Sequence, residues 1–364
     1  MKQTPLYRKH IDLAAKIAPF GGYDMPIQYS SGIISEHEAT RSAATIFDTC
    51  HMGEFDARGS AVVADLDKLV TRDVATQAVG SCRYYLMCNE SGGVIDDLIM
   101  YRMADNRFFI VVNAGTQETD FEWIQSHLST QSSIENIGEQ TAKLDIQGPQ
   151  APGLFQSMID TSLEGLKYYR LRTCSRNGKE VLVSRTGYTG EIGVEVYCDT
   201  QTALGLWDEC LEKGITPAGL GCRDTLRLEM GYPLYGHELS DKRNAADYAG
   251  GTPLLSNNKS FVGSRHILND KAQENVFTAI ELHGRRATRS DDVICTAGGE
   301  EIGIVTSGSY SPTLRKALAL GYVSKDAHRR GMSVALGKSR LTGTITALPF
   351  VKQTTARKAL ARFL

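Results

Sequence analysis

Apolar residues along this chain recur at two intervals, and the interval changes from segment to segment. Residues 10–17 set Ile11, Ala14, Ala15 and Ile17 at near-helical spacing, which predicts a short helix. Residues 20–26, punctuated by Gly21, Gly22 and Pro26, read as a loop. Residues 33–44 return to helical spacing, and 47–55 read as a strand entering a second unit. Residues 61–70 are helical through Val62, Val63, Leu66, Leu69 and Val70. Strands are predicted over 84–88 and 94–101, joined by the turn Asn89-Glu90-Ser91-Gly92-Gly93. A third strand over 107–113 carries the unbroken run Phe108-Phe109-Ile110-Val111-Val112, which suits burial on both faces. A helix over 119–128 completes a β-α-β-β-β-α order, that of an α+β sheet with helices on one face.

Further along, strands are predicted at 144–147, 181–185 and 194–197, with helices from Ala151 and over 204–211 and 225–230. Residues 248–261 are rich in Gly, Ser, Asn and Pro and read as a linker or mobile loop. Beyond Val276, short β-like runs at 277–282, 302–306, 317–323, 333–336 and 343–348 alternate with glycine turns. That rhythm predicts a small all-β C-terminal domain.

Composition narrows the class. With 364 residues, 41% hydrophobic and 23% charged, the chain has material for two or three domains. A net charge of −2 gives no overall field for nucleic acid or a membrane surface. No apolar run reaches the ~18 residues of a membrane span, and the N-terminus lacks a signal-peptide core. Absence of a leader points to a cytoplasmic location. The 8 cysteines include no Cys-x-x-Cys pair and the 8 histidines no His-x-x-x-His pair, which argues against a metal site and for free thiols in a reducing compartment.

The pair Asp96-Asp97 interrupts an apolar strand. Side chains alternate across a strand, so only one of the two carboxylates can enter a given cavity. An acid facing an apolar interior needs a partner and is a candidate for handling a proton or a developing positive charge. The alternative is a strand entry with two solvated acids.

Several segments taken together resemble one family. They are His51-Met52-Gly53-Glu54, Gly92-Gly93-Val94-Ile95-Asp96-Asp97-Leu98, Arg185-Thr186-Gly187-Tyr188-Thr189-Gly190-Glu191 and Gly221-Cys222-Arg223-Asp224. Tyr232-Pro233-Leu234-Tyr235-Gly236-His237-Glu238-Leu239, the stretch from Thr306 to Leu314, and Leu348-Pro349-Phe350 complete the set. In this order and spacing the chain is similar to the aminomethyltransferases, the T-proteins of the glycine cleavage system. The resemblance implies an α+β chain in three domains around a folate funnel, the last a jelly-roll-like β-barrel. The expected boundaries are 1–50 with 138–245 for the folate-binding domain, 51–137 for a second, ferredoxin-like α+β domain and 270–364 for the barrel. It further implies tetrahydrofolate as acceptor and the aminomethyl-loaded lipoyl arm of H-protein as donor.

Residue by residue, the resemblance assigns Asp97 as the catalytic acid and leaves Asp96 facing away as a solvated or structural acid. It assigns Glu195 to the pterin, whose adjacent donors suit a bidentate carboxylate. Arg223 is assigned to a carboxylate or ring carbonyl, against the alternative of a salt bridge to Asp224 or a neighbouring strand. Tyr84, Tyr101, Tyr188 and Tyr232 are expected as pocket walls, with Met52 and Asn113 at further pocket positions. His51 reads as a core histidine with satisfied nitrogens, and Arg227 as structural. Arg315, Lys316, Arg329 and Arg330 are candidates for meeting an acidic carrier, or solvated surface charges.

The chain departs from the family pattern at 244–252, where a tryptophan-containing strand is missing, and after Phe350, where no tyrosine follows. The first departure keeps a second reading open: a relative that demethylates a small sulfonium or methoxy compound onto the same folate. A non-enzymatic folate scaffold for iron-sulfur assembly is disfavoured by retention of Asp97 and by the missing Lys-Gly-Cys motif.

Overall fold

The computed structural model describes residues 1–269 and 271–364; Asp270, the first residue of the expected third domain, lies outside them. Three β-systems are stacked along the chain. The first is a six-stranded sheet in the spatial order Leu171–Arg176, Lys179–Ser184, Gly193–Cys198, Ala142–Gln147, Thr45–Asp48 and Thr216–Pro217. Its neighbours are antiparallel except the last pair. One face carries Ile46, Leu144, Ile146, Val194 and Val196 into a core shared with Leu6, Phe155, Leu206 and Trp207. The alternation of strand side chains therefore sends Lys143, Asp145, Gln147, Glu195 and Tyr197 to the opposite face.

The second sheet is antiparallel, in the order Ser81–Cys88, Val94–Ala104, Arg107–Val112, Gly53–Gly59 and Ser132–Asn136. Leu98, Met100, Phe108, Ile110 and Val112 pack against helices Val62–Asp67 and Gln117–His127. Ile99, Tyr101, Phe109 and Val111 lie on the other face and meet Tyr197 of the first sheet. The run at 108–112 is buried on both faces, as its composition predicts. The C-terminal unit is a closed barrel of Asn275–Leu282, Lys316–Ser324, Glu301–Ser311, Val293–Thr296, Ser333–Leu336 and Leu341–Thr346. Closure, which removes exposed strand edges, comes from pairing Ala279 with Thr346.

Several expectations are corrected. The predicted helix at 10–17 ends early: the helix is Tyr7–Asp12, and Lys16–Phe20 is a strand. That strand pairs with Tyr23–Gln28, so the predicted loop is a hairpin. Gly21 (φ 54°) and Gly22 (φ 87°) supply the left-handed backbone a two-residue turn requires. The predicted strand at 47–55 is two strands in different sheets, broken where Cys50 N–H donates to Asp48 Oδ1 (2.9 Å) and Met52 N–H to the Thr49 carbonyl (3.2 Å). The helix placed at 225–230 begins at Leu220, so Arg223 sits inside it.

Residues 248–261 are no linker. Helix Ala245–Ala249 opens the segment, and Phe261 is buried beside Leu86 and Val94. Lys259 Nζ donates to the carbonyls of Asp67 (2.5 Å), Val70 (2.9 Å) and Arg72 (2.8 Å) and to Asp67 Oδ1 (2.8 Å). A long-range ammonium clamp thus turns a Gly- and Ser-rich segment into a strap, which local composition does not encode.

Glu229, wholly buried on helix Leu220–Met230, joins the first sheet's helices to the barrel. It accepts from Arg41 Nη2 (2.7 Å) and from Ser311 and Thr313 of the barrel, and lies 3.3 Å from His37 Nε2. Burial works against its charge, but His37 and Arg41 outweigh that and hold its pKa down to about 2. Glu229→Ala is expected to cost about 3 kcal/mol, because a buried cation and several donors lose their acceptor. Urea denaturation measures it; a loss below about 1 kcal/mol would contradict this reading.

Candidate active site

A cavity of about 460 Å³ lies between the inward faces of the two sheets and is flanked by helix Leu220–Met230. Of the residues singled out in the sequence, Met52, Tyr84, Asp97, Asn113, Tyr188, Glu195, Arg223 and Tyr232 line it. Tyr101 does not. It is fully buried behind the wall, with its hydroxyl 2.7 Å from Tyr197 OH and 3.3 Å from Glu195 Oε2. Tyr101 therefore supports Glu195 and Tyr197 from beneath rather than forming a wall.

One group of polar residues centres on Asp97. Tyr84 OH donates to Asp97 Oδ2 (3.0 Å) and Asn113 Nδ2 to Asp97 Oδ1 (3.0 Å). Asn113 also serves Asp96, through Nδ2 to Oδ1 (2.8 Å) and the backbone N–H to Oδ2 (3.0 Å). Asp96 is thus a structural acid, fully buried rather than solvated. Behind it lies Asp120 of helix Gln117–His127, also fully buried and close enough to Asp96 for each carboxyl to shift the other's titration. Burial and the charge of Asp96 push Asp120 up to about 10, so it keeps its proton. Burial and the same Asp96 charge raise Asp97 to about 7, against the hydrogen bonds from Tyr84 and Asn113. Asp97 is accordingly poised to exchange a proton near neutrality.

A second group surrounds Lys143. Its buried ammonium donates to Asp145 Oδ1 (2.5 Å), Glu195 Oε1 (2.7 Å) and Thr49 Oγ1 (3.1 Å). Glu195 Oε2 accepts from Thr186 and Tyr101. A carboxylate oxygen has two lone pairs, so Oε1 retains one free acceptor position and Oε2 none. The guanidinium of Arg223 stacks 4.4 Å over the Tyr188 ring and reaches Asp145 Oδ2 at 3.4 Å. Its ion-pair partner is therefore the strand residue Asp145, while Asp224 pairs with Arg227 (2.8 Å). Tyr188 and Tyr232 stack with ring centroids 5.7 Å and planes 28° apart, so the two aromatic walls adjoin.

Arg227 lines the cavity and also clamps the fold, donating to Glu238 (2.9 Å) and to Ser307 of the barrel (2.8 Å). His51 lies in the cavity wall against Phe20, but its Nδ1 finds no partner among the described residues, contrary to the expectation of satisfied nitrogens. Burial drives its pKa down to about 3, so it is neutral and no base of ordinary strength. The sequence reading missed Phe20, Lys143, Tyr169, Tyr197, Tyr248, Leu254 and Arg357 in the lining. The two-residue period was a usable signal for two of them: Tyr197 follows Glu195 by two, and Lys143 alternates with buried Leu144. Tyr248 and Leu254 arrive with the strap and Arg357 with the C-terminal tail, where no local pattern marks them. Among the described residues no cluster of His, Cys, Asp and Glu has metal-binding geometry, and the cysteines are free thiols.

Residues 6–251 match the family profile of the GCVT N-terminal domain, and 276–352 that of the glycine cleavage T-protein C-terminal barrel domain. The chain is 38% identical over 359 residues to an aminomethyltransferase of Halothermothrix orenii, across 96% of this chain and 100% of that one. It is 41% identical over 331 residues to one of Thermotoga maritima, across 89% and 90%. The solved structure of glycine cleavage system aminomethyltransferase T from Bartonella henselae superposes with a TM-score of 0.91 at 29% identity, covering 97% and 99% of the two chains.

The Asp96–Asp120 pair carries a pH signature. Asp120 is neutral when folded and ionises on unfolding above the ordinary carboxylate range, so the folded state holds the extra proton. Stability from this group is present at low pH and is lost as pH rises from about 4 toward about 10. Asp120→Asn keeps a donor to Asp96 and removes the titration. In urea denaturation it should be more stable than the wild type at pH 8, by on the order of a few kcal/mol, with most of that gap gone by pH 5. An equal gap at both pH values would refute the assignment.

Proposed function

Since the chain belongs to the glycine cleavage T-protein family of aminomethyltransferases, we propose that it transfers a one-carbon unit from aminomethyl-lipoyl H-protein to tetrahydrofolate, with release of ammonia. The observation that carries this reading is an aromatic-walled cavity holding one carboxyl tuned to about 7. The residues fit a reduced pterin: Tyr188 and Tyr232 offer stacking faces, Glu195 Oε1 one free acceptor position, and Arg223 a planar donor. Tetrahydrofolate supplies the two amines that accept the carbon.

Asp97 is the proposed catalytic residue. Its ionised form stabilises positive charge developing at the transferred carbon as ammonia departs, and orients the accepting amine. It also takes up a proton from that amine. Tyr84 and Asn113 hold the carboxylate in one orientation. The substrate carrier is proposed to dock through basic side chains; Arg315, Lys316, Arg329 and Arg330 are exposed on the barrel, although Lys316 already pairs with Glu281 at 2.5 Å. A cytoplasmic location belongs to the same reading. Among the described residues no helix is long and apolar enough to cross a membrane.

Asp97→Asn should bind tetrahydrofolate with near wild-type affinity in calorimetry and lose turnover by on the order of 10²-fold or more. Wild-type turnover should rise with pH through about 7 as Asp97 ionises, and the variant should lack that rise. Near-normal turnover in the variant would remove Asp97 from the mechanism. The donor is tested by supplying lipoylated, aminomethyl-loaded H-protein in parallel with free sulfonium and methoxy compounds. Activity is expected only with the carrier, with association slowing as salt rises; turnover of the small donors alone would replace this reading with the demethylase one.

A further inference from the structure

We infer that Lys143 is a positioning residue that sets both ligand-facing ends of the cavity floor, Glu195 directly and Arg223 through Asp145. The inference rests on the folate reading above and adds to it a residue that neither the sequence motifs nor the aromatic walls point to.

Lys143 lies on Ala142–Gln147, a strand whose even positions fill the apolar core and whose odd positions take the opposite face, with Lys143 in the cavity lining and Asp145 buried beside it. Its side chain is 1% exposed. An ammonium has three donors, and all three are engaged: Asp145, Glu195 and Thr49. None is left to bind a ligand directly, so the group acts on its neighbours. Thr49 in turn donates to Asp145 Oδ1 (3.0 Å), which locks that carboxylate with its other oxygen turned toward Arg223. Burial opposes the charge of Lys143, but Asp145 and Glu195 outweigh it and hold its pKa above the ordinary value.

The consequence is directional. Lys143 occupies one lone pair of Glu195 Oε1, while Thr186 and Tyr101 fill Oε2. Only one acceptor position of Glu195 stays open, and its direction is set by the ammonium. Asp145, fixed by the same ammonium, holds the guanidinium of Arg223 over the Tyr188 ring. One cation thereby determines where the cavity floor accepts and where it donates. Without it, Asp145 and Glu195 become neighbouring buried like charges, and they separate or share a proton.

The test uses the full-length chain and measures tetrahydrofolate binding by calorimetry and turnover by steady-state kinetics. Lys143→Met should weaken binding and raise KM for tetrahydrofolate by on the order of tenfold or more, with a smaller change in kcat, because Tyr84 and Asn113 still hold Asp97. The double variant K143M/D145N removes the cation and one anion, so the floor keeps its charge balance; it also carries the test if K143M alone fails to fold. A residue that merely balances buried charge would see affinity restored in the double variant. A positioning residue would not, since Arg223 has lost its anchor and Glu195 keeps only Thr186 and Tyr101, both on Oε2. Wild-type affinity in either variant would overturn the inference and leave the folate reading standing. Failure of the wild type itself to bind tetrahydrofolate would overturn the folate reading and the inference together.

Discussion

Two β-sheets face each other across the cavity, and strand alternation turns every second residue of their central strands toward that side. Some of those residues are charged. Lys143, Asp145 and Glu195 come from one sheet, and Asp97 comes from the other with Asp96 just behind it. Isolated buried charges of this kind are prohibitively unfavourable, so each must be paired or neutralised. The requirement is met in two ways. On the floor, opposite charges compensate: an ammonium between two carboxylates, with a guanidinium beyond. Around Asp97 the charges have one sign, and neutralisation comes from protons, with Asp120 keeping its own and Asp97 held near the midpoint of its titration.

These two solutions give the two regions different chemical characters. The ion cluster is fixed in charge and geometry, which suits recognition. The carboxyl cluster has a proton that is weakly held, which suits proton transfer. Both depend on dry surroundings, and those come from elements distant in sequence. The strap at 248–261 brings Tyr248 and Leu254 to the wall, and the tail brings Arg357. The barrel is tied to the same helix that carries Arg223, through Glu229 to Ser311 and Thr313 and through Arg227 to Ser307. Recognition groups and inter-domain clamps thus share helix Leu220–Met230, with Arg227 one turn beyond Arg223 and also in the cavity lining.

The family was legible in the sequence because its motifs are turns and helix starts, where local chemistry dictates the residue. Gly92-Gly93 before a strand and Gly221 in the first turn of a helix are examples: a Cβ on Gly93 would fall 1.8 Å from the Asp241 carbonyl oxygen, and one on Gly221 2.5 Å from the Ile33 side chain. That only one of Asp96 and Asp97 could enter the cavity followed from the two-residue period, and that it is Asp97 followed from the family resemblance. Errors arose where local and tertiary forces part. Tyr101 shares the face of Asp97 and Ile99 but sits under the floor, because Tyr197 from the facing sheet covers it at 5.5 Å. The glycines at 21 and 22 looked like loop and are a hairpin, since positive φ serves both.

What the sequence by itself determined is most of the central strands and helices, the alternation that selects which residues share a face, and the motif order that marks the family. All of these are consequences of spacing along one chain. Tertiary structure alone decided which inward residues meet: that Lys143 stands between Asp145 and Glu195, that Arg223 turns to Asp145 rather than to its neighbour Asp224, and that Asp120 lies behind Asp96. Those pairings set the proton affinities and the direction of each donor and acceptor. They depend on distances of a few ångströms between segments up to 78 residues apart, which no local pattern records.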